Sequence, residues 1–584
     1  MDCLMRRRLH WLFAGIVLLA SFSAAYSLCS ARIGGSPSRV IELAVDAKAN
    51  VRRISPYIYG LNFASRRTLE ELGIKLNRYG GNRSTRYNWQ LDVTNTGADY
   101  FFQNISLQKD DGLKDYQRFI DDNQRADTDS IVTIPMIGWV ARDGSSSGFS
   151  IIKYGLQGKA SPERPDAGNG VDRDGRMIRG NEPRDTSLEV GVEFQKAWVR
   201  DIVSTFGTAA EGGVKFYALD NEPCLWHRIH RDVHPQPATY DELLDLSVRY
   251  ARAIKEVDPS CQVMGPVVYG WGAYFYSPAD GFKRGQDRAG HSDAPFLEWY
   301  LRRMREAEAR VGFRLLDVLD IHYYPEARTD KRVVFDGAGD DALKELRVRS
   351  VRSLWDAGYE DESYIKQAVR LIPRMKEIIA RNYPGTKLSI SEYSWGAYED
   401  ISCALAQAEA LGVFGREGLD MASYWIATDR RFYGTPTYFA FRIFRNFDGK
   451  GGRFGDTSIG ATSSDDERVS IYSSLSQDSK EMYLVVINKT RDASTARVKL
   501  RNFGAGGEVE RYCYSGDDLK EIKRMPSLQL ESQQGFNLSL PGHSITLLRL
   551  QSNTILRSTF DVRQNVWRSM FGVRRLIFNV ECRT

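Results

Sequence analysis

Two glutamates each close a short run of strand character: Glu222 in KFYALDNEP (215–223) and Glu392 in KLSISEY (387–393). Two carboxyl groups on opposite walls of a cleft can break a glycosidic bond. One must keep its proton near neutral pH and give it to the leaving oxygen, while the other must be ionised to attack the anomeric carbon or activate water. A separation of about 5 to 5.5 Å suits direct attack with retention of configuration, and inversion needs a wider gap. Asn221, immediately before Glu222, offers an amide to a sugar hydroxyl. Arg78 in KLNRYGG (75–81) can hold Glu392 ionised by charge pairing, its bland alternative being a buried structural ion pair. His322 and Tyr324 in VLDIHYY (318–324) are two residues apart and share a strand face, which lets Tyr324 touch Glu392. Asp220 is read as structural.

These residues need a scaffold that brings distant strand ends together. Short β-branched or aromatic runs recur at 57–63, 75–81, 130–138, 215–223, 261–268, 318–324, 387–393 and 421–427, separated by amphipathic stretches such as TYDELLDLSVRYARAIKEV (239–257). Eight strand-helix units in series predict an α/β fold, a (β/α)8 barrel with its working groups at the carboxyl ends of the strands. An open doubly wound sheet is the rival, but no GxGxxG follows the first strand. Past about residue 430, segments such as RVSIYSSL, EMYLVVINKT and SITLLRLQ alternate apolar and polar residues between turn residues, which predicts an antiparallel β-sandwich. RVIELAVDA (39–47) has the same character and is expected to pair into it. The predicted organisation is a signal peptide or membrane anchor (1–31), an N-terminal strand for the sandwich (38–54), the barrel (55–430), the sandwich (431–554) and a basic tail (555–584).

Several stretches resemble glycoside hydrolase family 44: NRYGGNRSTRYNWQLDVTNTGADYFF (77–102), YALDNEPCLWHRIHRDVHPQP (217–237), DIHYYPEA (320–327), RSLWDAGYEDESYI (352–365) and ISEYSWGAYED (390–400). The resemblance runs in order from residue 38 to about 552. It implies retaining, endo-acting hydrolysis of β-1,4-glucans, including cellulose and xyloglucan, on a barrel with an attached sandwich. It also implies that Glu222 is the general acid/base and Glu392 the nucleophile. A retaining hydrolase of xylan or mannan, and a non-catalytic glycan-binding protein, are the other readings.

Composition agrees with an uncharged polymer as the partner. The chain has 584 residues, 80 basic and 75 acidic side chains and a formal charge of +5, which lacks the clustered basic face of a nucleic-acid protein. Residues 1–31 account for +2 and residues 555–584 for +4, so the body between them carries −1. Sugar rings pack their C–H faces on aromatic rings, and the chain has 11 Trp, 29 Tyr and 27 Phe. Trp89, Trp226, Trp395 and Trp425 fall at or just after candidate strand ends, with Trp425 on the eighth strand the best stacking candidate, while residues 430–555 contain no Trp. The long third-strand loop, 142–186, either shapes the cleft or is a solvated insertion held by ion pairs.

No cofactor, metal or stable protein partner is expected, and the chain is read as a monomer. Its seven cysteines are scattered, neither a disulfide framework nor a zinc site. His227, His230 and His234 cluster without a HExxH pattern and are assigned to loop hydrogen bonding. Arg6, Arg7 and Arg8 precede an apolar run from Trp11 to Ala20 and small residues at Ser23, Ala24 and Ala25, the order of a secretory signal, so the protein is expected outside the cell or anchored to its envelope.

Overall fold

The computed structural model describes residues 40–553 apart from 427, 531 and 533. The predicted export segment and basic tail lie outside the described residues.

Eight strands close a parallel barrel: Gly60–Asn62, Leu76–Tyr79, Asp129–Ile134, Phe216–Leu219, Gln262–Val268, Val318–Tyr323, Lys387–Tyr393 and Met421–Tyr424. Each falls within a run expected from the sequence or overlaps it to within a residue. Helices cover the outside and side chains fill the inside, so the strands are buried on both faces and read as nearly continuous apolar runs. Leu76, Ile131, Phe216, Ala218, Met264, Val318 and Met421 fill the lumen below the site. The intervening residues, among them Tyr217, Leu219, Leu319 and Ile321, pack outward against the helices.

The barrel extends further than residue 430. Helix Pro436–Arg445 follows the eighth strand, and Arg445 donates from Nη2 to the carbonyl of Gly73 at 2.6 Å, tying the last helix to the end of the first, Arg66–Leu72. Its sequence, PTYFAFRIFR, is buried almost all round because barrel and sandwich both cover it. Phe439 on this helix stacks on Tyr514 of the sandwich with ring centroids 5.1 Å apart.

The sandwich contains a four-stranded and a seven-stranded sheet. Strand Ile41–Asp46 lies in the smaller sheet, antiparallel to Gly460–Ser463 but parallel to Ser494–Arg501, so that sheet is mixed where antiparallel pairing throughout was expected. The mixed pairing follows from connectivity, because a strand delivered from before the barrel is free to enter in either direction. The apolar helix Ile401–Glu417 joins the two domains: Tyr472 of the sandwich donates to its buried Glu409 at 2.8 Å, and Lys489 lies 3.5 Å away.

The third-strand excursion is ordered. Trp139–Ala141 pairs with Ser187–Glu189 at its base. Arg164 donates to the carbonyl of Asn104, and Arg231 donates to the carbonyls of Asn169, Gly170 and Ile178. The insertion is thus held chiefly by arginines bound to backbone, with Lys153–Asp185 as a peripheral ion pair.

Candidate active site

Strand irregularities aim the two glutamates. Leu388 and Ile390 pack outward, so strict alternation along the seventh strand would send Glu392 outward too. Instead Ile321 and His322 of the sixth strand pair with Ile390 and Glu392, skipping Ser391, and the register to the eighth strand shifts over the same stretch. This bulge turns Glu392 toward the lumen beside His322. After the fourth strand, Asp220 and Glu222 adopt positive φ angles of 66° and 45°. Such conformations are costly for residues with a Cβ and persist only where surroundings enforce them. Here the Glu222 N–H donates to the Val267 carbonyl at 3.0 Å, and the Asp220 carboxylate accepts from Thr85, Met136 N–H and Asn221 N–H. Asp220 is therefore a structural staple for the loop that presents Glu222.

An oxygen of Glu222, an oxygen of Glu392 and a ring nitrogen of His322 all lie within 4.8 Å of one another. Arg78 is fully buried and donates from Nη1 to Glu392 Oε2 at 2.9 Å and to Asn62 Oδ1 at 3.0 Å, and from Nη2 to Asn221 Oδ1 at 2.7 Å. Tyr324 donates to Glu392 Oε1 at 2.6 Å. Both oxygens of Glu392 thus accept hydrogen bonds, one of them from a cation.

Glu222 sits in a different environment. Burial pushes its carboxyl up to about 7, outweighing the opposite pull of Arg78, while Asp99 adds to the rise. His322 Nδ1 lies 2.8 Å from Glu222 Oε1. Burial lowers His322 to about 4, against the pull of Glu392, so its ring is neutral at pH 7. In the tautomer that carries its proton on Nδ1, the ring donates to Oε1 and Oε2 of Glu222 is left to carry the acidic proton. Glu222 thus holds a proton near pH 7 beside a Glu392 whose two oxygens are both occupied by donors.

Asn221 keeps one uncommitted amide proton: its Oδ1 accepts from Arg78 and from Gly81 N–H at 3.0 Å, and its Nδ2 donates to Asn82 at 3.0 Å. The two carboxylates and His322 also have the spacing of a three-ligand metal set. A cation there would face the Arg78 guanidinium already bound to Glu392, so the charges disfavour metal.

The tryptophans divide sharply. Trp425 is partly exposed and borders a cavity of about 800 Å³ together with Tyr324, Phe335, Tyr398 and Arg431. A Cβ on Gly81, whose φ is +75°, would lie 2.7 Å from the Trp425 ring, so glycine lets the indole lie against the second-strand loop. Trp226 and Trp395 are wholly buried, and Trp395 donates to Ser350 Oγ at 3.1 Å. Neither offers a face to a ligand, which corrects the expectation drawn from their position after strand ends: the chain turns inward there to seal the core. Trp89 is also nearly buried, donating to the Phe194 carbonyl at 3.2 Å beneath the Lys114 ammonium. Among the three histidines, His230 is buried, and His234 pairs with Glu242 at 2.8 Å.

Residues 93–327 match the description of glycoside hydrolase family 44. Among solved structures, a Paenibacillus polymyxa xyloglucanase of that family is 32% identical, with a TM-score of 0.75 over 88% of this chain and 99% of its own. The chain belongs to glycoside hydrolase family 44. CelM2, a bifunctional glucanase-xylanase from a metagenome library, is 39% identical with a TM-score of 0.84, over 88% of this chain and 99% of its own. Beta-mannanase/endoglucanase A of Caldicellulosiruptor saccharolyticus is 32% identical over 87% of this chain, which spans 39% of that protein's length.

In this family 44 chain, sequence reading missed Asn62, whose Nδ2 donates to the carbonyls of Ser391, Ser423 and Tyr424 while its Oδ1 receives Arg78. Its signal was a polar residue closing the first barrel strand, the same signal that singled out Glu222. Phe335, on a turn, and Arg431, in the short helix Asp429–Phe432, left none, because neither closes a strand.

Proposed function

We propose that the protein is an endo-acting hydrolase of β-1,4-glucans that works by double displacement with retention. The observation that carries this reading is the pair Glu222 and Glu392: their oxygens lie within 4.8 Å, one carboxyl is pushed up to about 7 by burial and the other is bound by Arg78. Glu222 protonates the glycosidic oxygen while Glu392 attacks the anomeric carbon, forming a glycosyl ester. Glu222, now ionised, takes a proton from water, which cleaves the ester and restores both groups. An oxygen–oxygen approach within 4.8 Å supports the short spacing of a retaining pair, about 5 to 5.5 Å, over the about 6.5 to 9.5 Å with which an inverting pair admits water. Trp425 offers a ring face in the cavity it shares with Tyr324, and Asn221 an amide proton. Both carboxylates come from one barrel, so this chemistry needs no second subunit.

Support for the substrate class comes from relatives named as a xyloglucanase and as a glucanase-xylanase. The mannanase in the Caldicellulosiruptor protein's name makes mannan a second arm to test. A polymeric substrate also suits export by the arginine-led N-terminal segment. Reducing ends released from carboxymethyl-cellulose, xyloglucan, xylan and mannan by the purified protein, with Glu392→Gln as control, test the assignment. Glucan or xyloglucan should be cleaved fastest, with a rapid fall in viscosity. Preference for xylan or mannan would overturn the substrate class, and equal activity in the control would overturn the site.

A further inference from the structure

Arg347, in helix Asp341–Arg349, is fully buried yet forms no ion pair among the described residues. Its Nε donates to the carbonyls of Val334 at 2.8 Å and Trp395 at 3.1 Å. Nη1 donates to the Ala338 carbonyl at 3.2 Å and Ser402 Oγ at 2.6 Å, and Nη2 to the carbonyls of Asp336 at 3.1 Å and Gly337 at 2.7 Å. The charge is answered through Ser402, whose hydroxyl donates to Asp400 Oδ1 at 2.7 Å. A planar guanidinium spread over four carbonyls of one short segment fixes that segment's backbone, and the bond to Trp395 fixes it relative to the loop that follows the strand of Glu392.

The side chain presented by this segment is Phe335. It is 40% exposed, borders the cavity next to Trp425, and packs edge-on to Tyr324 with ring centroids 6.2 Å apart. A second, independent feature holds it there. A Cβ at Gly396, with φ +65°, would lie 1.8 Å from the Phe335 carbonyl oxygen, so the two loops meet only because residue 396 is glycine.

We propose that Arg347 is a positioning residue that, with Gly396, sets Phe335 as a wall of the glycan cleft, so that it governs hold on the polymer rather than bond cleavage. This rests on the hydrolase reading above. The substrate the wild type cleaves fastest is used to measure kcat and KM for Phe335→Ala, Gly396→Ala, Arg347→Lys and the double variants with Phe335→Ala, each normalised to folded protein. Phe335→Ala should raise KM about fivefold, the scale of one lost aromatic contact, with kcat within about twofold. The other single variants should show the same split. Once Phe335 is removed, Arg347→Lys or Gly396→Ala should add less than about twofold to KM. Fully multiplying effects, an unchanged KM in Phe335→Ala, or losses confined to kcat would each overturn the proposal. If Arg347→Lys fails to fold, Phe335→Ala and Gly396→Ala decide it alone. A wild type inactive on every polysaccharide would instead strike at the hydrolase reading.

Discussion

The buried guanidinium of Arg78 lies 2.9 Å from Oε2 of Glu392, drawn from the second and seventh strands of one barrel. This contact joins stability to chemistry. Removing one partner of a buried pair strands the other charge at a cost of about 3 to 5 kcal/mol. Arg78→Met should therefore lower the unfolding free energy measured by denaturant titration by that order and slow turnover at least a hundredfold. A variant with wild-type kcat would show that the pair is only structural.

Glu222 sets the alkaline limit. Its carboxyl is pushed up to about 7, so the acid form should be lost as pH rises through that value and kcat/KM of the free enzyme should fall with it. In Glu222→Gln the limb should vanish, leaving slow hydrolysis that an aryl glycoside with a good leaving group partly restores. Stability follows the same group. The folded state holds the proton above the unfolded value of 4.5, so this contribution weakens as pH rises from about 4.5 to about 7. Thermal melts of Glu222→Gln should thus gain on the wild type across that window.

Tyr324 donates to the second oxygen of Glu392. Tyr324→Phe keeps the ring and removes a hydrogen bond to a charged group, worth about 1.5 to 3 kcal/mol. Steady-state kinetics should show kcat reduced roughly ten- to a hundredfold with KM little changed. A change confined to KM would assign Tyr324 to substrate binding.

Trp425 is the partly exposed indole that borders the cavity with Tyr324, whose hydroxyl donates to Glu392. Trp425→Ala should raise KM for polysaccharide about tenfold while leaving the fold intact by circular dichroism. Unaltered KM would place the sugar elsewhere in the cleft.

Much of this site was legible in the sequence because its chemistry sits on strands. Glu222, Glu392, Arg78 and Tyr324 each belong to or directly follow a short β-type run, and a parallel barrel gathers such ends by construction. What could not be read depended on departures from regularity. The bulge at Ser391 and the left-handed turn at Glu222 aim the two carboxyls, and neither has a period. Trp226 and Trp395 were misplaced because a position after a strand end does not say which way the chain turns. Helix Pro436–Arg445 was missed because it follows the last barrel strand, where the boundary with the sandwich was drawn at about residue 430. Arg347 gave no sign at all, since its partners are backbone carbonyls.

The covalent role of Glu392 is tested most directly by trapping. A 2-deoxy-2-fluoro β-cellobioside with an activated leaving group should let glycosylation outrun hydrolysis. Peptide mass spectrometry should then find one fluoroglycosyl group, esterified to Glu392. A label on another residue, or no label together with a first product of inverted anomeric configuration, would contradict the account.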